Sequence, residues 1–254
     1  MRRLAPLATA ATLVLAACGG TDTEPADREL TVSAAASLTA AFTDIGAAFE
    51  RQNPGVTVTF NFGPSDGLAT QIDQGAPVDV FASASPAWID SVENDGPGVT
   101  GRADFARNEM AIIVPAGNPA GIQDLNGLAN PGVKLVLAAE GVPAGDYARQ
   151  VLEHAGIADA ALANVVSNEE DVATVMTKVL SGDADAGIVY ATDVTPEVSA
   201  RITPIAIPDR DNVIATYPIA VIRGSEQAEL AQRFVDFVLH EGQRTLGEYR
   251  FLSP

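Results

Sequence analysis

Beyond residue 29 the chain alternates short apolar runs with stretches whose apolar positions recur at helical spacing. Residues 30–34 read as an apolar strand. Leu38, Phe42, Ile45 and Phe49 then return every three or four residues, as one face of a helix does. Residues 56–62 alternate apolar with polar, which predicts a strand. A short helix follows over 68–74, a buried strand over 79–84, and a helix over 86–92 that starts at Ser85. Residues 110–114 and 134–138 predict two more strands. A helix over 144–154 turns Tyr147, Val151 and Leu152 inward. Another covers 171–180 and stops at Ser181-Gly182. Strands over 186–190 and 217–222 follow, then a helix over 226–239 and a further one after Gly242.

Strands alternating with helices argue for an α/β fold with mostly parallel sheets. The strands carry few polar alternations, as in sheets covered on both faces. Internal repeats are absent.

The first residues depart from this pattern. Arg2 and Arg3 precede an apolar stretch over 4–15, interrupted by Pro6 and too short to span a bilayer comfortably. Leu15-Ala16-Ala17-Cys18 then runs into Gly19-Gly20. This resembles the lipobox of bacterial lipoproteins, which implies a signal peptide over 1–17, lipid on Cys18, and a flexible polar tether over 18–28. An ordinary secretory signal with an incidental cysteine is the alternative, and the protein is exported on either reading. Cys18 is the one cysteine of the 254 residues, so a disulfide framework is excluded.

Charge narrows the partners. The formal net charge is −18, and it grows more negative if Arg2 and Arg3 leave with a leader. A nucleic-acid partner is unexpected without a basic patch. The same negative field disfavours anions at long range, so an anion site here must work through local dipoles. One cysteine and two distant histidines, His154 and His240, make no zinc cluster. The acidic run Glu169-Glu170-Asp171 fits the start of a helix, where acids complement the macrodipole. No loop has the P-loop pattern, and Trp88 reads as core.

Four segments put small or hydroxylated residues where helices begin: Ala34 to Thr39, Gly63 to Leu68, Val142 to Gly145, and Asn168 to Val172. None contains Lys or Arg. Helix N-termini present unpaired N–H groups and the positive end of a dipole, so several converging on one cleft would bind an oxyanion without a cation. Taken singly, Ser37, Ser65 and Asp171 also read as ordinary caps, and Pro143 as an ordinary first helical residue. A rival motif overlaps the second segment. Gly63-Pro64-Ser65-Asp66-Gly67 matches the G-x-S-x-G nucleophile elbow, and Asp193 and His240 follow in hydrolase order. An exported serine hydrolase using Ser65 is therefore the alternative of a different class. Against it, only two strands precede the elbow and no His-Gly-Gly segment lies upstream.

Together with residues 68–77, 142–148, 170–172, 187–190 and Tyr217-Pro218, the Ala34 to Thr39 segment resembles the periplasmic molybdate-binding proteins, the solute receptors of molybdate ABC transporters. The resemblance covers residues 30–251. It implies a two-lobed periplasmic-binding-protein fold of type II, with two mixed, mostly parallel sheets flanked by helices and the ligand in the cleft between lobes. Lobe I would be 29–106 plus 216–254, and lobe II 107–215, closing by a hinge. It implies no catalysis and no cofactor. The ligand would be molybdate, and tungstate with it, and the partner a membrane permease met by a monomer.

The residues implied to hold the anion are Ser37 and Ser65 by hydroxyl and amide, Ala144 and Val172 by amide, and Tyr190 by hydroxyl. A pocket made only of donors suits anions that carry no proton. Asp66 and Pro64 depart from the family pattern. Asp66 in the cleft would accept a phosphate proton, tuning the same receptor to phosphate; as a first-turn acid it turns to solvent through Gly67.

Overall fold

The computed structural model describes residues 28–254. The leader expected over 1–17, Cys18 and the tether as far as residue 27 lie outside the described residues.

The chain opens with β1 (Arg28–Ala35), a 3-10 turn (Ala36–Leu38), α1 (Thr39–Gln52) and β2 (Val56–Gly63). Next come α2 (Ser65–Asp73), β3 (Val80–Ala82) and α3 (Pro86–Asn94). A 17-residue strand, β4 (Val99–Pro115), leads to β5 (Leu135–Ala138), α4 (Pro143–His154), α5 (Ala158–Leu162) and β6 (Val165–Glu169). Then follow α6 (Val172–Ser181), β7 (Ala186–Tyr190), β8 (Ile202–Ala206), β9 (Ile214–Ile222), α7 (Ala228–Leu239) and α8 (Gly242–Glu248).

The strands run in the order β2-β1-β3-β9-β4-β7-β5-β6, with β8 also on β4. β1 pairs in parallel with β2 and β3, and β5 in parallel with β6 and β7. Every antiparallel pair involves β4 or β9. β4 spans both halves of the sheet. Its residues Val99 to Glu109 pair with β9, and Met110 to Pro115 pair with β7 and β8. The sheet is therefore two parallel α/β units joined by an antiparallel ribbon of two long strands.

The helices bury the faces their spacing predicts. α1 turns in Ala41, Phe42, Ile45 and Phe49, and α7 turns in Leu230, Phe234, Val235 and Val238. Phe49 meets Phe234 edge-on at 5.2 Å and Phe237 at 5.5 Å, the geometry favoured by aromatic quadrupoles. α6 ends on Gly182 in the left-handed region, where a glycine caps without Cβ strain. α2 begins at Ser65, three residues before the expected start, because Pro64 holds an extended φ of −65° and delivers the chain into the helix.

The N-terminal half of β4, β6, β8 and α5 are elements the apolar pattern did not predict. Trp88 is half-buried, packed on the small cluster that includes Ile89 and Val92, not in the main core. Among the described residues no helix is long and apolar enough to cross a membrane.

Candidate functional site

The parallel strands of both halves end toward one crevice, where the ligand sites of open α/β sheets lie. A cavity with about 240 Å³ of empty space, part of it open to solvent, occupies that crevice. The ends of β1, β2 and β3 deliver Ser37, Ser65 and Ala84 to it. From the other half come Ala144 at the start of α4, Asp171 and Val172 at the start of α6, and Tyr190 at the end of β7. All five residues expected to hold an anion thus line one cavity, and no Lys or Arg lines it.

The local geometry separates open helix starts from capped ones. The 3-10 turn before α1, α1 itself, α2 and α4 have no side-chain cap at their N-termini. The first N–H groups of the 3-10 turn, α2 and α4 are left to whatever occupies the cavity, whereas the first of α1 is taken, the Thr39 N–H donating to the Ala36 carbonyl. The cap reading of Ser37 and Ser65 is overturned. Ser37 lies inside the 3-10 turn, and its Oγ meets the Tyr217 hydroxyl at 3.0 Å. Ser65 is the first residue of α2, and its Oγ accepts the Ala84 N–H at 3.1 Å. With that lone pair used, the Ser65 proton is free for the cavity. Asp171 does cap: its carboxylate accepts the Thr174 N–H at 2.7 Å, which leaves the Val172 amide beside the cavity.

Tyr190 is 1 % exposed, and its hydroxyl is one of three buried side-chain polar atoms without a hydrogen-bond partner among the described residues. The Tyr217 ring stands 5.8 Å away and the Tyr147 ring 6.5 Å away. Burial first, then the neighbouring Tyr217, Tyr147 and Asp193, push the Tyr190 phenol well above its ordinary pKa, so it stays a neutral donor. Behind it, the Asp193 carboxylate accepts the Tyr190 N–H at 3.0 Å. Burial, aided by Asp171, raises Asp193 to about 7, against the pull of that hydrogen bond.

Gly145 sets the approach of α4. A Cβ there would run into the carbonyl oxygens of Ala138 and Ala139, so the helix start sits against the end of β5 only as glycine. Arg149 fixes the same corner, donating to the Ala138 and Gly145 carbonyls at 2.9 and 2.8 Å. Across the crevice, the Trp88 indole N–H donates to the Gly141 carbonyl at 3.1 Å.

Asp66 does not line the cavity. Nor does it turn wholly to solvent as expected: one carboxylate oxygen is buried without a partner. The hydrolase constellation does not assemble. Asp193 is engaged by the Tyr190 amide, while His240 lies exposed on a separate groove beside Phe49 and Arg233, its Nδ1 2.7 Å from the Asp236 carbonyl. Ser65 therefore has no imidazole to take its proton. Among the described residues no three His, Cys, Asp or Glu side chains come together to hold a metal ion.

Two buried groups behind the cavity escaped the sequence reading. Tyr217, on β9, bonds Ser37, and Asn108, on β4, donates to Tyr217 and Thr192. Tyr217-Pro218 carried part of the resemblance, but nothing in the sequence linked it to Ser37.

The chain matches the family described as bacterial extracellular solute-binding proteins over residues 30–252. It is 41 % identical over 228 residues to the molybdate-binding protein ModA of Mycobacterium tuberculosis, covering 89 % of this chain and 85 % of that one. It is 32 % identical over 220 residues to ModA of Escherichia coli, covering 83 % of each. The fold superimposes on the periplasmic molybdate-binding protein of Azotobacter vinelandii with a TM-score of 0.77 at 22 % identity, covering 89 % of this chain and 99 % of that one.

Proposed function

Because the chain belongs to the ModA family of bacterial extracellular solute-binding proteins, transport receptors and not enzymes, we propose that it captures molybdate outside the cell and hands it to the permease of an ABC transporter. The observation that carries the ligand assignment is a cavity lined by helix starts and by no Lys or Arg, with Tyr190, whose buried hydroxyl lacks a hydrogen bond of ordinary geometry, in its lining. An orphaned buried donor costs about 1–3 kcal/mol, and an oxyanion removes that cost. Ser37, Ser65 and Tyr190 give hydroxyls, and Ser37, Ser65, Ala144 and Val172 give amides.

The donor set accounts for selectivity. Molybdate and tungstate are fully deprotonated near neutral pH and only accept hydrogen bonds, so both fit and the pocket scarcely distinguishes them. Hydrogen phosphate brings a proton that finds no acceptor, and burying it unpaired costs on the order of 1–3 kcal/mol. Sulfate carries no proton but is smaller, so a rigid pocket leaves some donors out of hydrogen-bond range.

Residues 29–106 with 216–254 form one lobe and 107–215 the other in this reading. β4 and β9 carry the chain between them, and the lobes close as a hinge on the anion. The protein works as a monomer tethered through lipid on Cys18 after removal of residues 1–17.

Isothermal titration of the domain lacking residues 1–18 with molybdate, tungstate, sulfate and phosphate tests the reading. Submicromolar molybdate binding with little response to sulfate or phosphate supports it. Preference for phosphate would reassign the ligand, and silence toward all four would remove the function.

A further inference from the structure

The hydroxyls that face the cavity can donate or accept, so a donor-only pocket needs something to fix their direction. For Ser65 the Ala84 amide does so. For Ser37 the partner is itself a hydroxyl, Tyr217 at 3.0 Å, and the pair alone leaves the direction open.

Asn108 supplies the bias. Its Oδ1 accepts the Glu109 N–H at 3.0 Å, so its Nδ2 must point the other way. That amide nitrogen can only donate, and it does so to Thr192 Oγ1 at 2.7 Å and to the Tyr217 oxygen at 3.4 Å. Tyr217 therefore accepts a hydrogen bond from behind. The Tyr190 hydroxyl also stands beside Tyr217, but among the described residues Ser37 Oγ, at 3.0 Å, is the acceptor in ordinary hydrogen-bond geometry for the proton Tyr217 carries. Ser37 in turn has one lone pair occupied and cannot give its proton to Tyr217, which leaves that proton for an acceptor in the cavity. Asn108 and Tyr217 are 1 % and 0 % exposed, so bulk water does not compete for these groups.

We propose that Asn108 and Tyr217 form a one-way hydrogen-bond relay that holds Ser37 as a donor, and that this relay is a determinant of selection for proton-free oxyanions over protonated ones. Both are positioning residues, since they act through Ser37. The inference rests on the oxyanion reading of the cavity. It adds residues from the two strands that join the halves of the molecule, β4 and β9.

The relay makes opposite demands on two variants. In Tyr217→Phe the ring stays and the hydroxyl goes, so both Ser37 lone pairs are free and the hydroxyl turns readily to accept a hydrogen bond from hydrogen phosphate. In Asn108→Asp the donor becomes an acceptor. Tyr217 then donates backward, Ser37 donates to Tyr217, and a lone pair faces the cavity.

Titrations near pH 8 with molybdate, sulfate and phosphate decide the matter, weak ligands being read by displacement of molybdate. All three anions are then dianionic in the main, so an added charge at Asn108→Asp cancels in the affinity ratios. The sulfate-to-phosphate and molybdate-to-phosphate ratios should each fall about tenfold in both variants, with molybdate itself hurt more in Asn108→Asp. Equal loss for all three anions, or ratios unchanged within about twofold of the parent, overturns the relay while leaving the receptor in place. If Asn108→Asp does not fold, the isosteric Tyr217→Phe decides alone. Parent protein that binds none of the three sinks the receptor reading and the relay with it.

Discussion

The indole nitrogen of Trp88 and the carbonyl oxygen of Gly141 lie 3.1 Å apart, one at the start of α3 and the other in the turn before α4, and their hydrogen bond bridges the crevice. Gly141 also donates its own N–H to Asp146 at 2.8 Å, so the bridge is anchored in the first turn of α4, the helix that offers the Ala144 amide. Trp88 is the one tryptophan in the chain, which makes its fluorescence a direct report on the crevice. Molybdate should shift the emission of the parent protein with saturation matching the calorimetric curve. Trp88→Phe, lacking the donor, should bind severalfold more weakly, on the scale of one hydrogen bond near 1 kcal/mol. Emission that ignores a saturating, calorimetrically verified ligand would show that the bridge does not respond to occupancy.

Tyr190→Phe should move stability and binding in opposite directions. The hydroxyl is buried with no hydrogen-bond partner among the described residues, so its removal relieves a desolvation cost and should raise unfolding free energy by about 1 kcal/mol. The same hydroxyl is a charge-assisted donor to the bound anion, worth roughly 1.5–3 kcal/mol, so molybdate affinity should fall at least tenfold. Denaturant melts and titrations on the same preparation check both signs. A variant that is less stable and binds normally would mean the hydroxyl has a partner other than the anion.

What could be read in advance followed from how local the cause is. α1 was legible because Leu38, Phe42, Ile45 and Phe49 write its buried face at helical spacing. The first half of β4 was not, because Gly101, Arg102 and Asp104 interrupt any apolar pattern, and register shifts on either side of Ala103 and Asp104 break its pairing with β9. β8 holds Pro204 and has β4 as its partner, so it tolerates a residue that argues against an interior strand. In the cavity, the four helix starts were visible as small or hydroxylated residues lacking cations. The directions of their hydroxyls were not. Ser37 takes its partner 180 positions away in sequence, a distance no local pattern spans.

Gly145→Ala should damage the site through the backbone. The new methyl would meet the carbonyl oxygens of Ala138 and Ala139, which the end of β5 holds rigidly, so α4 must slide away from the strand. Overpacking of this kind costs about 1–3 kcal/mol of stability. Because the displaced helix carries the Ala144 amide, binding should suffer even where the protein remains folded. Gly182→Ala is the comparison: its Cβ meets open space, yet φ of 80° strains an alanine, so it should lose stability alone. Equal effects of the two on molybdate affinity would detach the α4 start from the site.

Asp193 predicts a pH dependence whose sign is fixed by burial. Its carboxyl is raised from 3.8 to about 7 in the folded chain, burial being the largest cause and the Asp171 carboxylate adding to it. Between those values the folded state keeps a proton that the unfolded state has released. Stability from this group is therefore complete at low pH, declines as pH rises toward 7, and is flat above. Asp193→Asn keeps an oxygen for the Tyr190 N–H and removes the titration. The variant should match the parent near about pH 4 and exceed it progressively up to about pH 7, with a constant advantage beyond. Thermal midpoints of both proteins across that range provide the test, and parallel profiles would show that Asp193 titrates at its ordinary pKa in the folded protein.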